Sequence, residues 1–550
     1  MAERSGRGGR RRDRTVLAVA LVFVVGVAIR LAPRHWTPLP FNPDGFKFAS
    51  QAGQILTAGD IPLQSNPQGF VFPVLLSQLQ LVTGVHVLSI SQPTIALVGT
   101  VPCLFAFAFA RRIAHNRGWD ARRTLAVATV AGLVLATEGL YLRRTAAVSY
   151  EVLGILLVIV SAVAFHRLLR TQHLGWFIVF ATALVVLPIT HHLSTMMAAL
   201  TLTALVAVHL RRTPVRATIV HGLTIVIGSW AYFGVYYTLT QPPFFGDVAT
   251  RLGLFLVCLL VFAGLVVLVR GTTPSLLRLS VLTSFAGGFT ILGINAVSNV
   301  FPGTASTHPR LLWYVAPLTI LIAFAVWGFP LAIDDADVGP IVLALFLGPL
   351  MFVGFSVIAE LNSAYQYFAA RGQTFIHLSA VIMAAIAVVD LGWRPRPQAS
   401  FLLKTALPAV VLVCALISVP LAFVGPPVLP YESTTTPAEF QAVTFAEAHI
   451  EGNWTSDDHL TRIGKNYYDA EAPPGPTYGW LDGAEPPTCP VLVRGSWPAT
   501  GAQAFPADPI AVDGHNLSRF ASTEQTLYTS GSSDQRLVAP RNASRLCGGV

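Results

Sequence analysis

Recurrent apolar runs of about 17 to 25 residues, from Thr15 to Val424, leave this chain few ways to fold. Each run matches a helix crossing a hydrocarbon core about 30 Å thick. They fall near residues 15–32, 86–110, 124–140, 149–165, 174–190, 193–210, 217–240, 252–270, 279–299, 311–333, 340–359, 375–391 and 400–424. Gly69 to Val82 is shorter and carries Gln78 and Gln80, so it is expected to lie along the interface. The polar-in, apolar-out alternation of barrel strands is missing, so the spans are helical. Charged residues make up 11% of the chain, where soluble domains carry roughly a quarter. The expectation is an all-α polytopic membrane bundle of about 13 transmembrane helices.

The first run follows an arginine-rich tail and is followed by Arg30, Pro33, Arg34 and His35. A signal peptide would end in a small-residue cleavage site, so an uncleaved first span is expected. With the N-terminus cytoplasmic, the inner segments are 111–123, 166–170, 211–216, 270–278, 334–337 and 393–396. All but Asp334-Asp-Ala-Asp337 are basic, as the positive-inside rule requires. An odd span count then places residues 425–550 outside, with 7 basic and 14 acidic groups. The organisation expected is a cytoplasmic tail (1–14), a transmembrane domain (15–424) and an extracytoplasmic C-terminal domain (425–550) of a multi-pass cell-membrane protein. The overall charge of +9 therefore belongs to inner loops and gives no support to nucleic-acid binding.

Only 13 of the 27 acidic groups lie in the first 424 residues, and the unexplained ionisable side chains gather on the outer loops. Ionisable groups in a bundle are costly and usually functional. Asp44, in Phe41-Asn-Pro-Asp-Gly-Phe-Lys-Phe48, could be a catalytic base or ordinary turn chemistry. Lys47 shares its loop. Arg143-Arg144 breaks the positive-inside pattern and suits a phosphate, unless it pairs with Glu138 or Glu151. His191 and His192 point about 100° apart on a helix, so one could bond a phosphate or sugar hydroxyl while the other caps the turn. His308, Arg310 and Arg371 sit at span entries, as lipid-phosphate ligands or interfacial anchors. No Cys/His spacing suggests a metal site, although a divalent ion at Asp44 stays open.

Charges collected at one face, with no midplane site or internal repeat, fit an enzyme better than a transporter. A flippase of lipid-linked sugars and a noncatalytic scaffold subunit are the alternatives. In its many spans, its acidic residue in a first outer loop (Asp44-Gly45), the helix along the membrane after it and the outer C-terminal domain, the chain resembles the GT-C glycosyltransferase superfamily. Tyr431-Glu-Ser-Thr-Thr-Thr-Pro-Ala-Glu-Phe440 and His191-His192-Leu193-Ser194 are similar to patterns of its archaeal members. The Trp-Trp-Asp motif of oligosaccharyltransferase subunits is absent, and no second acidic residue follows Asp44. The resemblance implies inverting hexosyl transfer from a polyprenyl-phosphate (dolichyl-type) sugar to a glycan, lipid or protein acceptor, without a required cofactor. Asp44 would deprotonate the acceptor hydroxyl and an outer arginine would stabilise the departing lipid phosphate.

In the tail, Thr436-Pro-Ala-Glu439 is a capping box opening a helix to about Ile450, and Cys489 to Arg494 reads as a short strand. A small α/β cap is expected, in which Cys489 and Cys547 could pair in an oxidising compartment.

Overall fold

The computed structural model describes all residues except 1, 62, 64, 65, 213–215, 270–272, 394–399, 427, 532, 533 and 548–550. The expected inner arginines Arg270, Arg394 and Arg396 lie outside the described residues. The chain opens with α1 (Ala2–Leu31), followed by α2 (Asp44–Ala58) and the interfacial candidate α3 (Val71–Thr83). Gly59 and Gly84, both at φ 71°, end α2 and α3 in the left-handed conformation that glycine adopts without a Cβ clash. The bundle continues with α4 (Val87–Asn116), α5 (Ala121–Thr137), α6 (Gly139–Ala146), α7 (Tyr150–Thr171), α8 (Leu174–Thr190) and α9 (His192–Arg212). It is completed by α10 (Arg216–Thr240), α11 (Pro243–Thr250), α12 (Leu252–Val269), α13 (Pro274–Asn295), α14 (Pro309–Val315) and α15 (Leu318–Ile333), then α16 (Gly339–Ala359), α17 (Ser363–Gly372), α18 (His377–Gly392) and α19 (Ser400–Ser418).

A helix coincides with every expected apolar run. Among the described residues, eight helices are long and apolar enough to cross a membrane, or up to 11 if each bent pair is one span. The bent pairs are α5 with α6 (62°), α11 with α12 (81°) and α14 with α15 (42°). Helices approach closely where glycine leaves room. A Cβ on Gly328 of α15 would lie 1.9 Å from the Met383 carbonyl of α18.

The acidic 334–337 segment has a structural reason. Asp337 pairs with Arg112 (2.7 Å), Arg167 (3.3 Å) and Arg170. Asp335 accepts from the backbone of residues 337 to 339 and from Asn116 (2.8 Å). Arg123 reaches Asp390 at 2.7 Å. The carboxylates thus bind the basic loops of that end together.

Beyond the bundle, a strap through Tyr431 leads to α20 (Pro437–His449), α21 (Asp458–Tyr468), α22 (Gly475–Leu481), β1 (Val491–Arg494), α23 (Trp497–Thr500), α24 (Gly514–Thr523), β2 (Gln525–Thr529) and β3 (Gln535–Ala539). The strands form an antiparallel sheet in the order β1-β3-β2, with Val491 opposite Val538. The capping box at Thr436 and Glu439 forms, and Cys489 is bonded to Cys547. Strand β1 starts at Val491, two residues later than predicted, because Cys489 is held by its disulfide and Pro490 has no N–H to donate. Arg494, buried in the cap, meets Glu432 and Glu439 at 2.6 Å and Asp457 at 3.3 Å.

The cap is seated on α2. Phe46 stacks on Phe440 (5.3 Å), Ser50 donates to the Tyr467 carbonyl (2.8 Å) and Asn466 donates to the Pro43 carbonyl (3.0 Å). The first helix-connecting segment is therefore tied to the last domain, and Asp44 lies at that seam.

Candidate functional site

Asp44 is not on a loop, as expected, but is the first residue of α2. The turn before it belongs to Asn42, which takes φ 108° and accepts from the Asp44 N–H (3.2 Å). Gly45 is required by crowding, since a Cβ there would lie 2.7 Å from the Pro40 side chain. The Asp44 carboxylate has neither a hydrogen bond nor an ion pair among the described residues, although Arg462 and Arg371 are within electrostatic reach. It opens on a cavity of ≈ 1670 Å³.

One end of the cavity is polar. Its wall comes from α2, α6, α7 and α17, with the strap and α21 of the cap above. The rest is apolar and runs between α12, α13 and α16. Leu254, Val257, Val261, Leu265 and Val266 form a stripe on α12, and Thr283 to Asn295 supply the facing wall of α13. Twelve residues of helix rise about 18 Å, more than half of a hydrocarbon core. The long legs α5, α12 and α15 are each about 24 to 27 Å long, so the bends joining them to α6, α11 and α14 sit near one membrane surface rather than at the midplane.

The structure brings most of the sequence candidates to this cavity. Lys47 lines it from an exposed position on α2. Arg143 donates from Nε and Nη2 to the Tyr431 hydroxyl (3.0 and 2.8 Å), and Arg144, also on the wall, makes neither a hydrogen bond nor an ion pair among the described residues. Neither arginine pairs with the two nearby glutamates. Glu151 lies 3.5 Å from Arg371, and Glu138 lies 2.9 Å from His377. His192 lines the cavity, stacked on Phe244. His191 is buried off it, with Nδ1 2.7 Å from the Ser194 hydroxyl at the start of α9. His308 caps α14 and lines the cavity, whereas Arg310 is exposed and off the wall, because its neighbour in the first turn takes the inward position.

Tyr431, Arg462, Tyr367 and His377 were not among the sequence candidates. For Tyr431 the burial that would raise the phenol is outweighed by Arg143 and Arg144, which hold its pKa below the ordinary value. Burial would lower Arg462, yet Asp44 and Asp458 together raise it, fixing its positive charge beside Asp44. Three polar atoms of the wall are buried without a hydrogen bond: Glu151 Oε1, Arg371 Nε and His192 Nδ1. Unsatisfied buried groups of this kind are costly, and a ligand that bonds them removes the cost. Among the described residues, no group of three His, Cys, Asp or Glu side chains is placed to hold a metal ion.

No protein-family model matches the chain, and no curated protein matches it. Solved structures similar in shape include these two. One is the oligosaccharyltransferase of Archaeoglobus fulgidus, in complex with Zn and sulfate, at 12% identity and a TM-score of 0.45, covering 94% of this chain and 73% of that one. The other is ArnT from Cupriavidus metallidurans in the apo state, at 12% identity and a TM-score of 0.45, covering 95% of this chain and 97% of that one.

Proposed function

We propose that this protein is a membrane glycosyltransferase that moves a sugar from a polyprenyl-phosphate carrier to an acceptor hydroxyl at the extracytoplasmic surface. The observation that carries the reading is one continuous cavity with a carboxylate unpaired among the described residues and an arginine-rich wall at one end and an apolar groove about 18 Å long at the other. A lipid-borne sugar phosphate has the same division. Its chain fits the groove, its phosphate suits Arg144 and Arg371, and its sugar would lie toward Asp44. In the reaction, the acceptor oxygen attacks the anomeric carbon as Asp44 takes its proton. The bond from that carbon to the phosphate oxygen breaks, and its electron pair leaves on the lipid phosphate. A single displacement of this kind inverts the anomeric centre. The positive-inside pattern supports placing this end outside. Bends near one surface rather than at the midplane weigh against a transporter.

The test is purified full-length protein incubated with labelled polyprenyl-phosphate sugars, or with nucleotide sugars, and a panel of acceptors. Transfer from the lipid donors alone is expected. Vesicle-to-vesicle translocation of the intact lipid sugar without transfer would overturn the reading in favour of a flippase.

A further inference from the structure

Glu138 and His377 form a dyad in the cavity wall. Glu138 ends α5 and begins α6, and its side chain is almost wholly buried. Its Oε1 accepts from the Leu140 N–H (3.0 Å) and its Oε2 from the Tyr141 N–H (2.9 Å). Oε2 also lies 2.9 Å from His377 Nδ1. The seat is rigid. The next residue, Gly139, donates its N–H to the Ser418 hydroxyl (2.9 Å), and a Cβ there would fall 1.8 Å from the Ser418 carbonyl. With Nδ1 donating to a carboxylate, Nε2 is the ring atom left for a ligand, and His377 is part of the cavity wall.

The position is informative. Arg144 stands six residues beyond Glu138, about 9 Å along the helix. Leu140, Ile376 and Ala380, near the dyad in sequence, are apolar lining residues of the same cavity. In sequence His377 follows the polar lining residues Arg371 and Gln373 and precedes the apolar Ala380, a placement that suits the point where a carrier's phosphate joins its chain.

We infer that His377, held by Glu138, binds the carrier's phosphate opposite Arg144 and, as imidazolium, gives a proton to the departing phosphate oxygen. This rests on the transferase reading for its proton transfer but not for its phosphate binding. The proton balance closes. The electron pair of the broken carbon–oxygen bond stays on the lipid phosphate, Nε2 gives up its proton to that oxygen, and water reprotonates the ring. The acceptor's proton goes separately to Asp44. The Tyr141 ring packs beside His377, and the ionisable groups of the cavity it lines include Asp44, Arg143, Arg144, Glu151 and Arg371.

The experiment measures binding of a short-chain polyprenyl phosphate to the full-length protein at one fixed pH, and transfer kinetics beside it. His377→Gln should weaken that binding about 10-fold. Glu138→Gln, which takes the carboxylate from His377 Nδ1, should weaken it in the same direction. In transfer, His377→Gln should lose roughly 10²-fold in kcat with a smaller change in KM. Superimposed binding curves for wild type and His377→Gln would sink the assignment while leaving the transferase reading intact. A His377-dependent affinity in a protein that transfers no sugar would do the reverse.

Discussion

Asp44→Asn separates a catalytic carboxylate from a structural one because the two roles differ in magnitude. The substitution keeps the side chain's shape and removes its charge. Among the described residues the carboxylate has no hydrogen bond or ion pair to lose, and Arg462 keeps Asp458 at 3.0 Å. What remains is its favourable position in the first turn of α2, about 0.3 to 1 kcal/mol, and its attraction to Arg462 and Arg371 across the cavity, about 1 kcal/mol more. As a general base it would contribute roughly 10²- to 10⁴-fold in rate, or about 2.7 to 5.4 kcal/mol of barrier. The prediction is a kcat reduced by at least about 10²-fold in a protein whose thermal unfolding is shifted by no more than the equivalent of about 2 kcal/mol. The assay is sugar transfer at saturating donor, paired with unfolding of the same preparation. A raised KM with unchanged kcat would mean that Asp44 only balances the charge of Arg462 in substrate binding. Transfer within about twofold of wild type would remove Asp44 from the reaction altogether.

The groove, the cap and its charged core each offer a further test. Gly288 of α13 lines the groove, and a side chain there would meet nothing within 4 Å, so Gly288→Phe should fold normally and raise the donor KM about 10-fold or more. Short-chain donors should be affected less. The Cys489–Cys547 bond closes a separation of 58 residues, so Cys489→Ser should cost the cap about 4 kcal/mol, read as a lower midpoint for unfolding of the cap. Burial would raise the carboxyl of Glu439, yet Arg494 holds it below its ordinary value. Its stabilisation is therefore present above the unfolded value of about pH 4.3 and is lost as pH falls through the depressed folded one. Glu439→Gln should flatten the acid limb of cap stability, measured by unfolding at successive pH values.

Much of the fold was legible because a bilayer admits few solutions. Every apolar run became a helix, the capping box of the tail formed where its residues placed it, and the short strand formed two residues later than expected. Helix α2 was missed for a physical reason. Its Pro43-Asp44-Gly45 start is turn-like, and its apolar residues Phe46, Phe48, Ala49 and Ala52 are buried partly against the cap, so no long hydrophobic stretch announces it. The three bends were hidden because helix arms on either side of a bend share one apolar composition, and hydropathy carries no direction.

For the site, sequence reasoning worked where a charge broke a rule and failed where only tertiary placement gives a residue meaning. Arg143-Arg144 was conspicuous as a basic pair on a face where basic pairs are not expected. Tyr431, which holds one of them, is 288 residues away and ordinary in its own segment. His377 sits at the start of an apolar helix, where an interfacial histidine calls for no explanation, and Glu138 looked like a partner for its neighbour Arg143 rather than for a residue across the bundle. The adjacent histidines sharpen the point. Helix geometry requires consecutive side chains to diverge by about 100°. One of His191 and His192 is therefore spent on the helix start, and only the other reaches the cavity. Local periodicity can say that two neighbours will part company. Which of them meets a substrate is decided by the helix packed opposite, here by Phe244 of α11 lying against the ring of His192.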